Sequence, residues 1–500
     1  MEEQAGSPIV EAVEAVINLI NSIVGPTLVP VLLLVGLFLT IVVRGRSITK
    51  IPYAFKQLFR KRGANTDEGD VSPFAALMTA LSSTVGTGNI AGVAAAIAIG
   101  GPGAVFWMWV TAILGTATKY SEGVLAVRSR EVDANGNRVG GPMYYIKNGL
   151  GPKWVWLGGV FAAIGMVTAL GTGNSIQANS VADVLKSEYS ISPWITALVL
   201  AGGAGAVILG GIKRIGSVAS KVVPFMAVTY ILAGLLVILL NIGNVPAAFG
   251  EIFSRAFGFH SAGTGISVGL LLVVMQRGVA RGIFSNEAGQ GSAPIAHAAA
   301  QNNDPVNQGM IAMLGTVIDT LFICTITALV ILTSGVVGED CMANPAVLEF
   351  LQEGKTPPGC ETSAPLTASA FNATLSGIGS HIVAIGLSIF AFTTILGWSY
   401  YGERCAVFVF NEKAIFPYRL VYIAVVFFSA LAILVGGENN QVVNLFWLMA
   451  DSLTGLMAIP NLIALALLSP IVIKLTKEYF DKEKEATDGL IDQDDLPRGS

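Results

Sequence analysis

The sequence predicts an all-α integral membrane protein with eleven transmembrane helices, in which one extra N-terminal helix precedes a five-plus-five inverted repeat. Three observations lead to this fold class. The 500 residues are 53% hydrophobic and only 12% charged, whereas an ordinary soluble domain carries about 25% charged residues. The apolar residues are gathered into long charge-free runs. Two of these apolar segments, one in each half, are interrupted by glycine-rich polar stretches at residues 86–92 and 282–294.

The charge-free runs define the predicted helices, because a spanning helix needs roughly 20 apolar residues. The run over residues 74–118 holds two crossings, since Gly-Gly-Pro-Gly at 100–103 is a turn signal. The eleven predicted helices cover about residues 27–43, 74–99, 103–127, 154–182, 194–211, 219–241, 266–300, 305–336, 379–411, 418–436 and 441–474.

The basic residues predict the orientation, because loops rich in Lys and Arg stay in the cytoplasm. Residues 44–62 contain several Lys and Arg and no acidic residue. Counting crossings places the other basic loops on the same side. We therefore expect a multi-pass protein of the plasma (inner) membrane, with its N-terminus outside and its C-terminus in the cytoplasm. No cationic leader with a cleavage site is recognisable, so no signal peptide is predicted.

The crossings divide the chain into five parts. They are residues 1–66 (extra helix and basic cytoplasmic loop), 67–241 (first repeat), 242–265 (outer connecting loop), 266–474 (second repeat) and 475–500 (charged cytoplasmic tail, expected to be disordered after Thr476). An odd number of helices in each set gives the two sets opposite orientations. Cys341 and Cys360 share one outer loop and could form a disulfide, whereas Cys324 and Cys405 are expected to pack within helices.

The glycine-rich interruptions predict a binding site. Non-helical chain at membrane depth is tolerated only where it lines a cavity or is buried in protein. Breaks in corresponding positions of two halves are typical of secondary transporters that bind substrate and ion near the midplane. Close packing of helices could account for any single glycine. It does not account for Asn89, Asn286 and Glu287, because polar groups at that depth are costly unless they have a function.

Three long motifs resemble the alanine or glycine:cation symporter family. They are GTGNIAGVA at 86–94, GGPGAVFWMW at 100–109 and GVARGIFSNEAGQGSAPIAHAAA at 278–300. The similarity extends over about residues 70–470. It implies a LeuT-type fold in which a sodium or proton gradient drives uptake of small neutral amino acids. An outer insertion around residues 338–366 lies away from the motifs.

The first break is assigned to the substrate carboxylate. Unwinding there frees N–H groups and exposes the positive end of the following half-helix, which attracts anions. Gly86 and Gly88 allow close approach to the backbone, and Thr87 adds a hydroxyl donor. The other candidate substrate contacts are Asn89, Gln177, Asn174, Phe284 (a cavity wall), Ser285, Asn286 and Trp398 (a cap that limits side-chain size). For the aromatic residues, ordinary core packing is the alternative.

The predicted ion site uses oxygen ligands, as sodium prefers. Thr393 and Thr394 provide adjacent hydroxyls, and the resemblance pairs them with the carbonyls of Ser82 and Val85. The alternative is that both threonines bond back to their own helix. A second sodium site with Thr84 and Asn89 is a further possibility.

Other functions remain as alternatives at this stage. A proton-coupled carrier of the same fold would use a carboxylate such as Glu287. The remaining buried charges are expected to pair structurally; they are Lys119, Glu122, Arg277, Arg281, Asp319 and Asp451. An intramembrane enzyme is disfavoured because the membrane runs contain no catalytic dyad or metal cluster, and a channel is disfavoured because two broken helices in an inverted repeat are typical of a carrier. Membrane lipid and a small neutral amino acid are the expected partners, with sodium as coupling ion, no organic cofactor and no nucleic acid. The sequence does not separate alanine from glycine, and it does not predict the oligomeric state.

Overall fold

A computed structural model describes residues 27–59, 68–257, 268–338, 360–434 and 441–487, which are helical apart from one small hairpin and connecting turns. The helices of the first half are α1 (Thr27–Val42), α2 (Arg46–Thr49), α3 (Ile51–Leu58), α4 (Pro73–Thr84), α5 (Gly88–Gly100), α6 (Gly103–Arg128), α7 (Pro142–Tyr145), α8 (Pro152–Tyr189), α9 (Pro193–Ile208) and α10 (Gly211–Leu240). Those of the second half are α11 (Val245–Arg255), α12 (Val268–Asn286), α13 (Ala293–Ala298), α14 (Pro305–Thr333), α15 (Ser363–Thr374), α16 (Gly379–Phe410), α17 (Glu412–Leu434) and α18 (Gln441–Thr487).

Six of these helices are long and apolar enough to cross a membrane, and the bent pair α4 and α5 raises the number to seven. The six spans are Pro152–Tyr189, Gly211–Leu240, Pro305–Thr333, Gly379–Phe410, Glu412–Leu434 and Ser452–Glu485. Large apolar side chains such as Leu236 and Leu239 of α10 are exposed on the protein surface, as expected where a helix faces lipid. The chain is therefore an integral multi-pass membrane protein. The count of eleven crossings stays a prediction, although a helix occupies each predicted segment.

Three helical boundaries differ from the prediction. Helix α10 begins at Gly211, so Lys213 and Arg214 lie in its first turn and not in a loop. The outer connection 242–265 contains helix α11. The expected disorder after Thr476 is wrong up to residue 487, because α18 continues as a helix to Thr487.

Contacts with α2 and α3 explain why the charged end of α18 stays helical. The Lys50 ammonium lies 3.1 Å from a Glu483 carboxylate oxygen, and the hydroxyls of Tyr53 and Tyr479 are 2.9 Å apart. The Arg46 guanidinium lies 4.6 Å from the centroid of the Phe480 ring. These cation–π and ionic contacts form only when the basic segment and the tail lie side by side. The local sequence of the tail alone therefore does not predict them.

Helices α4 and α14 start with clear capping residues. The Ser72 hydroxyl accepts a hydrogen bond from the Ala75 N–H (3.1 Å), and Pro73 occupies the first position of α4. Asp304 accepts bonds from two backbone N–H groups at the start of α14 and is followed by Pro305. A polar cap followed by proline is the preferred helix start.

Helices in corresponding positions of the two predicted repeats pack on each other. The extensive interhelical contacts include α6 with α14, α8 with α16, and α9 with α17. These are the second, third and fourth helices of the two sets. The chain that precedes α4 also meets the chain that follows α13, through a parallel bridge between Val71 and Ala300.

A small antiparallel hairpin follows α6, formed by β1 (Glu131–Val132) and β2 (Arg138–Val139). Asp133 caps its turn by accepting the backbone N–H groups of Asn135 and Asn137, and Gly136 has the positive φ of 80° that the turn requires. The turn docks against α16, where Arg404 binds Asp133 at 3.0 Å. The hairpin is the one departure from the predicted all-helical chain within the described residues.

Of the cysteines, Cys324 and Cys405 are free and buried, in agreement with a packing role. Cys360 is disulfide-bonded. Cys341, its predicted partner, lies outside the described residues.

Candidate functional site

The first break lies between α4 and α5, whose axes differ by 55°. Helix α4 ends at Thr84, and Val85 leaves the helical region with a ψ of 89°. The Asn89 side chain then folds back, and its Oδ1 accepts the Gly86 N–H at 2.9 Å. The first turn of α5, Gly88–Gly92, is a π-helix, a local form frequent at functional sites.

The second break lies between α12 and α13. Glu287 is in the left-handed region with a φ of 55°, and Gly289 and Gly291 also have positive φ values of 87° and 80°. The Asn286 Oδ1 accepts the Ala288 N–H at 3.0 Å. A buried non-glycine residue in the left-handed region is strained, and such strain is concentrated at functional sites.

A small buried cavity lies between the two breaks. Its walls come from α4, α5, α8, α12, α16, α18 and the two breaks. The lining residues are Ser83, Thr84, Gly86, Gly88, Thr172, Gln177, Phe284, Glu287, Gln290, Thr394, Trp398 and Thr454. Seven of these were predicted from sequence, five as substrate contacts (Gly86, Gly88, Gln177, Phe284 and Trp398) and two as ion ligands (Thr84 and Thr394).

The first break contains a buried hydrogen-bond donor without a partner, on Thr87. The Thr87 side chain is fully buried, and its hydroxyl has no hydrogen-bond partner. The Thr87 N–H is 3.4 Å from Gln177 Oε1, at the limit of a hydrogen bond. A buried hydroxyl without a partner costs free energy that a bound acceptor recovers. Thr87 is not itself among the residues that line the cavity, but its neighbours Gly86 and Gly88 are.

The walls of the cavity are aromatic on two sides. A Cβ atom on Gly88 would lie 3.2 Å from the Phe284 ring. Trp398 is 1% exposed and packs so closely on Gly173 that a Cβ there would collide with the indole. The small residues therefore let both rings approach the cavity. Asn174, by contrast, donates to the Tyr422 carbonyl at 2.8 Å and is not among the lining residues.

Only some of the predicted ion ligands lie close to one another. The Thr394 hydroxyl is 3.4 Å from the Val85 carbonyl and 3.0 Å from its own-helix Phe390 carbonyl. The Thr393 hydroxyl bonds back to Phe390 at 2.9 Å, and Ser82 bonds back to Thr79 at 2.7 Å. Thr394 thus bridges α16 and the first break, whereas the Thr393 hydroxyl also contacts Met226 Sδ of α10 at 3.5 Å and the Ser82 hydroxyl stays within its own helix.

Asp319 of α14 joins the two breaks, a role that sequence reasoning missed. It is fully buried. Its Oδ1 accepts from Asn89 Nδ2 (2.7 Å), and its Oδ2 accepts from the hydroxyls of Ser285 and Thr320 (both 2.7 Å). Asn286 donates to the same Thr320 hydroxyl at 3.1 Å. The signal in the sequence was a lone acidic residue in an otherwise apolar run, which by itself indicates function.

Within the described part of the chain, the expected structural pairing is not found for Lys119, Glu122 and Asp319. Among the described residues, no ion pair joins Lys119, Glu122, Glu287 or Asp319 to another side chain. The carboxylates are held by amides and hydroxyls instead. Glu287 bonds to the Ser292 hydroxyl.

Two broken helices around one buried, partly polar cavity are the architecture of a secondary transporter. The model of the sodium:alanine symporter family matches residues 10–493 of this chain. The chain belongs to that family, and it is a transporter and not an enzyme.

Individual relatives agree with this assignment. The chain is 48% identical over 473 residues to the sodium/alanine symporter AgcS of Methanococcus maripaludis, covering 94% of this chain and 98% of that protein. It is 36% identical to a putative sodium/proton-dependent alanine carrier protein of Bacillus subtilis, with 92% and 91% covered. It is 35% identical to a probable sodium/glutamine symporter of the same organism, with 97% and 95% covered.

A solved structure supports the fold. The crystal structure of MhsT in complex with L-phenylalanine superposes with a TM-score of 0.53 and 12% identity, covering 83% of this chain and 99% of that chain. This likeness bears on the fold alone and confirms the LeuT-type class.

Proposed function

We propose that this protein couples an inward sodium gradient to the uptake of alanine and glycine by alternating access. The observation that carries the proposal is the buried cavity between the two breaks. It combines the glycine backbone of the first break, at Gly86 and Gly88, with aromatic walls at Phe284 and Trp398. A helix N-terminus suits a carboxylate, and a small enclosure bounded by two aromatic rings suits a hydrogen or methyl side chain.

The substrate carboxylate binds at the first break in this proposal. The N–H groups at the start of α5 and the unpartnered Thr87 hydroxyl are its donors. Gln177 holds the chain at Thr87. The ammonium group faces the second break, where Glu287 lines the cavity. Ser285 and Asn286 act indirectly, because their side chains are engaged by Asp319 and Thr320.

Sodium binds where α16 meets the first break. The Thr394 hydroxyl and the Val85 carbonyl oxygen, which lie close together, are two of its ligands. Rotation of the Thr393 and Thr394 hydroxyls away from the Phe390 carbonyl supplies further ligand oxygens. Ser82 contributes its carbonyl. Hydroxyl and carbonyl oxygens are the ligand set that suits a hard cation.

A second cation site is proposed beside Asp319. Asn89 and Thr84 were its expected ligands, and the Asp319 carboxylate adds a full negative charge next to Asn89. A carboxylate can hold either sodium or a proton. Relatives of this chain include one named as sodium-dependent and one named as sodium/proton-dependent, so the coupling ion is the first point to test.

The topology belongs to the same proposal. Residues 67–241 and 266–474 form the two inverted repeats, joined through 242–265, while 1–66 and 475–500 are additions. The N-terminus lies outside, and the basic segment 44–62 lies in the cytoplasm.

Uptake of labelled alanine and glycine into proteoliposomes tests the proposal, with an inward sodium gradient, an inward proton gradient or neither. We expect uptake only with sodium, and about tenfold weaker sodium activation in Thr394→Ala, because one charge-assisted ligand contact is lost. Ser388→Ala is the matched control, since Ser388 lies on the same helix and bonds only back to Ala384.

Uptake that follows protons and is unchanged in Thr394→Ala would move coupling to a carboxylate. Uptake of neither amino acid under any gradient would refute the substrate assignment.

Trp398 is expected to set the upper limit on substrate size. Replacing it with alanine removes the ring that packs on Gly173 and enlarges the cavity. We expect glutamine uptake relative to alanine to rise about tenfold, within the range that a hydrophobic pocket wall can contribute. Competition of glutamine against labelled alanine measures the change. Trp194→Ala is the control, because Trp194 is 55% exposed and far from the cavity. An unchanged preference in Trp398→Ala would contradict the assignment of this wall.

A further inference from the structure

We propose that Glu122 of α6 is a positioning residue that holds the second break in its non-helical shape. The proposed function assigns no role to this residue, and the inference rests on that function only where it concerns substrate affinity. Glu122 is 1% exposed and lies at membrane depth, where an isolated carboxylate is costly unless it does something.

The carboxylate accepts hydrogen bonds from the break itself. The N–H groups of Gly289 and Gly291 both point to Glu122 Oε1, each at 3.2 Å. These amides have no helical partner because the chain is unwound there. Alternating amides that converge on one anion form a nest, which favours negative charge.

Asn461 of α18 completes this arrangement from the opposite side. Its Nδ2 donates to Glu122 Oε1 at 2.7 Å and to the Gly289 carbonyl at 2.9 Å. Its Oδ1 accepts from the Tyr145 hydroxyl of α7. Helices α6 and α18 therefore hold the break directly, α7 supports Asn461, and Glu122 Oε1 lies at the centre.

The second break needs such support because its backbone is strained. Glu287 adopts a positive φ without being glycine, a conformation that is strained for a residue with a Cβ. The glycine positions are also closely enclosed: a Cβ on Gly291 would lie 2.5 Å from Pro142 Cγ. Released from Glu122, the segment would lose the contacts that keep Glu287 and Gln290 directed at the cavity.

The first test does not depend on transport. Hydrogen exchange followed by mass spectrometry on the full-length protein in detergent reports the amides of the segment 283–298. Glu122→Gln keeps the size of the side chain and removes its charge, so three donors share a neutral oxygen. We expect the Gly289 and Gly291 amides to exchange about tenfold faster. Ser121→Ala is the matched control, because Ser121 is buried on the same helix and bonds only to Ala117. Exchange at the wild-type rate in Glu122→Gln would overturn the proposal.

The second test separates positioning from general stability. In proteoliposomes, Glu122→Gln is expected to raise the KM for alanine about tenfold with Vmax changed less than twofold, because the break is displaced in a folded protein. Asn461→Ala should shift KM in the same direction. Lower Vmax at an unchanged KM would mean that Glu122 only supports folding, and this outcome would also overturn the proposal. If the wild-type protein takes up no alanine, the proposed function fails, whereas the exchange result still decides the role of Glu122.

Discussion

Replacing Asp319 with alanine is expected to reduce sodium-driven alanine uptake about a hundredfold. The substitution removes the carboxylate that accepts from Asn89 Nδ2 and the Ser285 hydroxyl, and it leaves both donors only the weak acceptor Cys324 Sγ. Each unsatisfied buried donor costs about 1–3 kcal/mol, and each 1.4 kcal/mol corresponds to a factor of about ten. Both breaks are affected at once, because Asn89 belongs to the first and Ser285 to the end of α12 at the second.

Asp319→Asn distinguishes charge from hydrogen bonding. Asparagine keeps an acceptor for Asn89, and the Ser285 and Thr320 hydroxyls can rotate to accept from its amide. We therefore expect Asp319→Asn to stay folded but to lose much of its activation by sodium, measured as uptake against sodium concentration. Thr333→Ala serves as control, since Thr333 lies on the same helix and bonds only to Leu329. Sodium activation identical to wild type in Asp319→Asn would rule out a cation site at this carboxylate.

The sequence located both breaks because their signal is local. Glycines beside Asn89, Asn286 and Glu287 stand out within apolar runs, and a bilayer allows few explanations for such residues. The helices of the membrane region were predictable for the same reason, since each must satisfy its own backbone. The LeuT-type class implied by the motifs also agrees with the fold.

The sequence did not predict which side chains from distant helices meet at the breaks. Asp319, Thr172 and Thr454 reach the site from three different helices, and nothing local marks their direction. Likewise, Ser285 and Asn286 lie at the predicted position along the chain, yet their side chains turn toward α14 and away from the cavity. The direction of a side chain at a break depends on how the helix unwinds there. The helical periodicity of the sequence, which otherwise predicts that direction, is lost where the helix stops.

The end of α18 illustrates the same limit. Its charged residues favour disorder when they are considered alone. The contacts of Glu483 with Lys50 and of Tyr479 with Tyr53 connect positions more than 400 residues apart in the chain. Such partners become visible only when both segments are placed in space.

Replacing Arg404 with alanine is expected to lower the free energy of unfolding by about 3–5 kcal/mol, the cost of removing one partner from a buried ionic network. Arg404 Nη1 lies 3.0 Å from Asp133, and its Nη2 binds Glu403. The side chains of all three are at most 4% exposed. Arg419 also binds Glu403, so Asp133 is the group left without an ionic partner. Thermal unfolding in detergent measures the loss. Lys474→Ala is the control, because the Lys474–Glu478 pair is 76% and 54% exposed and such pairs contribute about 1 kcal/mol or less.

The pH dependence of this network follows from Asp133. Burial opposes ionisation of this carboxyl, but hydrogen bonds from Asn137 and Arg404 outweigh it and hold the pKa of Asp133 below its usual value of 3.8. A carboxyl with a lowered folded-state pKa contributes stability that is fully present above its unfolded-state pKa and is lost as pH falls through the folded-state pKa. The difference in melting temperature between wild type and Asp133→Asn should therefore be constant from neutral pH down to about pH 5 and shrink only in stronger acid. A difference that already declines near neutral pH would mean that another group controls the docking of the hairpin on α16.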